Sequence, residues 1–136
     1  MGLYHHDLCY GCGLANVFGL QLDLERQPDG SVAGRFFVKQ DHQGPPGFAH
    51  PGVLAAALDE AMALTAGEGP GAAVTAQLEV DFRQPAPIGT FVRLEAKVER
   101  REGERTWVRA AAFPDEEGAA PLAEGRAVLV AAPRPG

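Results

Sequence analysis

The apolar positions of the chain follow two periodicities, and their order along the sequence predicts the architecture. Between Leu20 and Glu25, Leu20, Leu22 and Leu24 alternate with Gln21, Asp23 and Glu25, the period of two expected of a strand with one buried face. Pro28-Asp29-Gly30 marks a turn, and a second strand is predicted over about 31–38. Breakers then dominate from Asp41 to His50. A helix is predicted from Pro51 to about Ala66, because proline suits the first helical position, where its missing N–H would have no intrahelical partner. Gly67, Gly69, Pro70 and Gly71 predict its end. The period then returns to two. Val74, Ala76, Leu78, Val80 and Phe82 alternate with Thr75, Gln77, Glu79 and Asp81, and Val92, Leu94, Ala96 and Val98 with Arg93, Glu95, Lys97 and Glu99. Further strands are predicted near 105–113 and 122–131, with turn clusters at 85–89, 101–104 and 114–118.

The order is therefore strand, strand, helix, then a run of hairpin-spaced strands. Short connections imply antiparallel pairing. One long helix must bury its apolar stripe on one face of a curled sheet, an α+β layer arrangement. The expected fold is the hot-dog, an antiparallel β-sheet wrapped around one long central helix. No linker, repeat or low-complexity stretch divides residues 1–136, so a single domain is expected; residues 1–19 read as Gly-rich and irregular.

On a helical wheel at 100° per residue with Leu54 at the origin, Leu58, Ala61, Met62 and Thr65 fall within about 80° and form the buried stripe. Asp59 lies near about 140°, on the shoulder of that stripe among Gly52, Ala55 and Ala63. Glu60 lies near about 240°, beside Val53, and is expected to point towards solvent or a partner chain. A carboxylate among small residues leaves room for a substrate, and partial burial raises its pKa towards a general-base role. The competing reading of an adjacent acidic pair is a solvated helix face.

Composition narrows the function classes. With 12 Lys and Arg against 18 Asp and Glu, the formal charge of -6 argues against nonspecific nucleic-acid binding, which needs a basic surface. It leaves room for a phosphorylated ligand held by local arginines. No apolar run approaches a membrane span, and the polar, His-rich opening does not read as a secretory signal, so no membrane association and a cytoplasmic location are expected. Cys9 and Cys12 are too close in sequence to staple the fold. His5, His6, Cys9 and Cys12 are zinc-ligand types, but no second Cys or His pair follows; a packed N-terminal turn, with no metal, is the expectation.

The stretch from His42 to Ala61, with His50-Pro51-Gly52-Val53-Leu54 leading into Asp59-Glu60, resembles the signature of the thioesterase superfamily, in its phenylacetate-degradation-type branch. In that branch a His-Gly-Gly turn enters the helix and the catalytic acid follows nine residues after the His, the spacing of His50 and Asp59. The segment Cys9-Tyr-Gly-Cys12-Gly13 through Gly19-Leu20, and the strand 74–82 followed by Arg83-Gln84-Pro85-Ala86-Pro87-Ile88-Gly89, are similar to further stretches of the family. The resemblance implies a hydrolase of acyl-CoA or similar thioesters with no cofactor, the CoA moiety being part of the substrate. It implies a homo-oligomer, dimer or dimer of dimers, with sites at the subunit interface. Asp59 would be the base that activates water, or a nucleophile; Thr75 would reach from the partner subunit to position the water. Backbone N–H groups at the helix N-terminus would form the oxyanion hole.

The sequence departs from the pattern where Pro51 replaces the Gly whose N–H usually completes that hole. Gly52 N–H becomes the candidate donor, aided by His50 or His42. Arg83, Arg100 and Arg101 are candidates for the CoA phosphates, because guanidinium suits phosphate oxygens; a solvated sheet edge is the alternative. Trp107 is expected in the core or at an interface. The helix start also resembles that of hot-dog dehydratases, which need an acid six residues after the Pro; Ala57 stands there and cannot move a proton. A non-catalytic acyl-ligand module or sensor on the same fold is the remaining alternative.

Overall fold

The computed structural model describes residues 2–67 and 73–131. Its elements are β1 Asp23–Arg26, β2 Val32–Phe37, a 3-10 turn Gln40–His42, α1 Pro51–Ala66, β3 Val74–Phe82, β4 Phe91–Glu102, β5 Arg105–Pro114 and β6 Ala123–Val130. The strands make one antiparallel sheet in the order β1-β2-β4-β5-β6-β3, and α1 packs against β2 to β6. This is the expected hot-dog.

The predicted helix and the third strand have the expected limits. Gly67 donates its N–H to the Ala63 carbonyl, while Gly69, Pro70 and Gly71 lie outside the described residues. The first strand is shorter than the Leu20–Glu25 alternation predicts. Gln21 adopts a φ of 51°, and Leu20 and Leu22 donate their N–H groups to Tyr10 and Gly11 of the N-terminal segment instead of to β2. Alternation there reports burial under the N-terminal segment, not membership of the sheet.

The wheel prediction for α1 holds on its buried side: Leu54, Leu58, Ala61, Met62 and Thr65 are all buried. Facing them are Leu94, Ala96, Val108, Ala110, Ala112, Ala127 and Leu129, whose frequent alanines let the helix sit close to the sheet. Each fully buried leucine there, such as Leu58, contributes about 1.5–3 kcal/mol. Trp107, by contrast, lies on the outer face of β5, between the buried Thr106 and Val108; it is half-buried beneath Arg100 and does not join the core.

β3 is an edge strand and carries a bulge between Thr75 and Gln77. Directly paired antiparallel residues share a face. Thr75 pairs with buried Leu129; after the bulge, Leu78, Val80 and Phe82 pair with Ala127, Gly125 and Ala123, also buried. The extra residue flips the register, because side chains alternate with a period of two. Strict alternation would put Thr75 opposite to Leu78 and away from the helix. The bulge puts both on the helix side. Leu78 and Phe82 nevertheless stay exposed, because α1 does not reach over them.

Candidate active site

Asp59 and Thr75 meet within one chain. The Thr75 hydroxyl donates to Asp59 Oδ1 at 2.6 Å, and both side chains are half-buried. The expectation that Thr75 reaches across from a partner subunit is thereby corrected: the β3 bulge delivers it to its own chain's helix. Burial raises the Asp59 pKa and the neighbouring Glu60 charge adds to this, against the pull of the Thr75 hydrogen bond. Because Thr75 occupies Oδ1, the second carboxylate oxygen is left to take a proton from a water.

Glu60 does not point to solvent or a partner. The N-terminal segment folds over it, and His5 Nδ1 lies 2.6 Å from Glu60 Oε2, with side-chain exposures of 16% and 12%. Cys9 Sγ donates to the same oxygen at 3.4 Å. Burial alone would push Glu60 up, but the bonds from His5, Cys12 and Cys9 hold it below the ordinary range. The same hydrogen bond raises His5 to about 9, and burial pushes the Cys12 thiol up. Gly11 makes the approach possible, since a Cβ there would lie 2.5 Å from Glu60 Cγ. His6 stays apart, accepting from the Leu8 N–H. Sequence reasoning had His5, Cys9 and Cys12 but not the helix residue that faces them; nothing in the local pattern links residue 60 to residues 5–12.

The helix N-terminus departs from expectation as well. His50 is the N-cap, and its Nδ1 accepts the Gly52 N–H at 2.8 Å. Val53 N–H bonds the His50 carbonyl, and Pro51 has no N–H. The proposed backbone donor Gly52 is thus already engaged. A neutral His50 whose Nδ1 accepts must carry its proton on Nε2, so the exposed ring itself presents a donor. His42 is not available for the same task. It is buried, its Nδ1 accepts from Lys39 N–H at 3.0 Å, and its Nε2 faces the Gly19 carbonyl at 3.3 Å.

The three arginines do not form one cluster. Arg83 follows the far end of β3 from Thr75 and pairs with Glu124 at 2.9 Å. Arg100 lies over the Trp107 ring at 3.9 Å. Arg101 donates to the Ala66 carbonyl at the end of α1 and to Thr106, where a cation suits the helix dipole. Register pairs Arg101 with Thr106, Thr106 with Leu129 and Leu129 with Thr75, which sets Arg100 and Arg101 at the opposite end of the sheet from Arg83. A groove of about 580 Å³ lies on the outer sheet face, lined by residues including Lys97, Arg109 and Arg126; neither Asp59 nor Thr75 borders it.

Comparisons with known proteins converge on one family. A profile described as thioesterase superfamily matches residues 46–120, over half of the chain and including Asp59 and Thr75. A Xenopus laevis protein named an acyl-coenzyme A thioesterase is 38% identical over 65 residues, 48% of this chain. The chain spans only 29% of that relative's length. Among solved structures, a thioesterase superfamily protein has a TM-score of 0.76 at 27% identity, covering 87% of this chain and 60% of that one. A phenylacetic acid degradation-related protein of Ralstonia eutropha has a TM-score of 0.69 at 26% identity, covering 82% of this chain and 85% of that one.

Proposed function

The chain belongs to the thioesterase superfamily, and we propose that it hydrolyses acyl-CoA thioesters with Asp59 as general base. The observation that carries this reading is the Thr75–Asp59 hydrogen bond, which orients a half-buried carboxylate and leaves one oxygen for water. Water adds to the thioester carbonyl as Asp59 takes its proton. The tetrahedral intermediate then expels the thiolate, which takes the proton back from Asp59. General-base assistance of this kind is worth about 10²–10⁴ in rate. Names of relatives as acyl-coenzyme A thioesterases support CoA as the thiol carrier, and no cofactor beyond the substrate's own CoA is required.

We place the oxyanion donor at His50 Nε2, because Gly52 N–H is engaged and Pro51 has none. Gly52 lies about 10 Å along the helix axis from Asp59, at about 1.5 Å per residue. That separation favours a site in which one copy's helix start faces another copy's Asp59. The edge strand β3, with Leu78 and Phe82 exposed on its inner face, supplies unpaired backbone and apolar surface for such a homo-oligomer. No helix among the described residues is long and apolar enough to cross a membrane.

The test is thiol release from a panel of acyl-CoAs by the wild type and Asp59→Asn. A fall of about 10²–10⁴ in kcat is expected. Equal, background-level rates in both would sink the hydrolase reading. The closed backbone hole at Pro51 and Gly52 then favours an acyl-ligand binding module.

A further inference from the structure

We propose that His5, Cys9, Cys12 and Glu60 form a tetrahedral site for a zinc-class divalent metal, which fastens the N-terminal segment to α1 beside Asp59. The four donor atoms lie within 4.8 Å of one another. Three of the donors precede the family-matched stretch 46–120 and the fourth, Glu60, lies within it, so the site would join the N-terminal segment to the helix.

Three of the separations lie at or close to the edges of a metal-centred tetrahedron. With metal–sulfur bonds near about 2.3 Å and metal–nitrogen or metal–oxygen bonds near about 2.1 Å, tetrahedral edges run about 3.3–3.8 Å. Cys12 Sγ to His5 Nδ1 is 3.7 Å, Cys9 Sγ to His5 Nδ1 is 3.9 Å, and Cys9 Sγ to Glu60 Oε2 is 3.4 Å. Of these four edges, His5 Nδ1 to Glu60 Oε2, at 2.6 Å, is contracted. That edge is held short by the proton between the two atoms, and a metal takes the place of that proton.

One backbone donor is aimed at a sulfur. His5 N–H donates to Cys12 Sγ at 3.1 Å, a bond that stabilises thiolate. Gly13 N–H closes the Cys-Tyr-Gly-Cys-Gly turn on the Cys9 carbonyl at 2.9 Å. A Cβ at Gly13 would lie 2.3 Å from the Asp7 carbonyl oxygen, so the knuckle accepts only glycine there. Both cysteines are free, and Cys12 is buried. Two sulfurs, an imidazole and one carboxylate suit Zn²⁺ and disfavour the all-oxygen preferences of Ca²⁺ and Mg²⁺. Binding releases the two thiol protons and the one between His5 and Glu60. Two thiolates, one carboxylate and a divalent ion leave a net charge of minus one. A ligand from residue 60 joined to three from residues 5–12 closes a long loop, the geometry in which a cross-link gains most over the unfolded chain.

The experiment uses the full chain, reduced and stripped of metal by chelation, titrated with Co²⁺ and then Zn²⁺. One Co²⁺ per chain is expected, with thiolate-to-cobalt charge transfer and tetrahedral visible bands, displaced by one equivalent of Zn²⁺ that also raises Tm. Glu60→Gln is expected to keep the thiolate bands and weaken zinc binding by more than about tenfold, since even outer-shell partners are worth about 10–100-fold. Cys9→Ser/Cys12→Ser is expected to lose the bands. Absence of bands in the reduced wild type overturns the proposal, and so do bands that persist in the double variant. If that variant fails to fold, alkylation of the wild type decides: zinc must protect both Cys9 and Cys12 at one equivalent, and unchanged alkylation overturns the site.

Discussion

Asp59 and Glu60 are consecutive carboxylates on one helix, yet their environments push them in opposite directions. Asp59 turns to β3, where one hydroxyl meets it and burial lifts its pKa. Glu60 turns to the N-terminal knuckle; burial there would also lift it, but His5 and the two thiols outweigh that and hold it ionised. The difference lies in the element laid over each side chain, not in the helix that carries them. A carboxylate with one neutral donor keeps proton affinity and an open oxygen. A carboxylate with a cationic partner and soft ligands around it becomes an anchor. Catalysis needs the first and assembly the second.

The sharpest way to break this comparison is to neutralise each acid in turn. Asp59→Asn is expected to remove about 10²–10⁴ in kcat while keeping the fold. Glu60→Gln is expected to retain a rate at least about tenfold above that of Asp59→Asn, and to show its main loss in thermal stability. The pair is partly exposed, so the loss is expected to fall below about 3–5 kcal/mol, the cost of breaking a fully buried pair. Steady-state thiol release and thermal melts on both variants read the two effects. If Glu60→Gln instead loses the rate and Asp59→Asn the stability, the roles assigned to the two acids are reversed.

A smaller effect is expected at Thr75, whose hydroxyl is the contact that separates the Asp59 side from the Glu60 side. Thr75→Ala removes a hydrogen bond to a carboxylate, worth about 1.5–3 kcal/mol, or roughly 10–100-fold in kcat/KM. Thr75→Ser restores the donor and is expected to recover most of the loss. If Ser fails where Thr works, the methyl group and not the hydroxyl is what matters.

Much of this was legible beforehand, for a physical reason. Helical periodicity put Leu54, Leu58, Ala61, Met62 and Thr65 on one face because a 16-residue helix averages local irregularity. The same wheel found Asp59 at the edge of that face. Three things were not legible. A one-residue bulge at 75–77 flips a register, and no side chain there announces it. The His50–Gly52 bond closes a donor that spacing alone left open. Glu60 sits opposite His5 and Cys9, 55 and 51 positions earlier, a tertiary contact with no period. In each case the short-range pattern did not reach far enough, and a single long-range or backbone event decided how the group was engaged.

The smallest expected effect extends the comparison to a third titratable group that has burial and no ionic partner. His42 sits with its ring edge against Phe36, accepts the Lys39 N–H on Nδ1 and faces the Gly19 carbonyl with Nε2. Burial lowers its pKa from the ordinary value near about 6.5; nearby Lys39 lowers it further, while Gly19 and Asp41 oppose. Protonating Nδ1 would also break the bond from Lys39. The unfolded chain therefore binds the proton more readily, and the contribution of neutral His42 is complete above about pH 6.5. It is lost as pH falls towards the depressed folded value, with a slope of at most about 1.4 kcal/mol per pH unit. In the metal-free chain His5 works in the opposite sense, its stabilisation being complete below about pH 6.5 and lost as pH rises through about 9. Unfolding measured from pH 8 to 5 on the wild type and His42→Gln cancels the His5 contribution by subtraction. His42→Gln is expected to be less stable at pH 8 and to narrow that gap as the pH falls. A gap that stays constant or widens would mean that His42 is at least as protonated in the folded protein as in the unfolded chain, and that burial without an ionic partner does not govern the titration of this fold's interior.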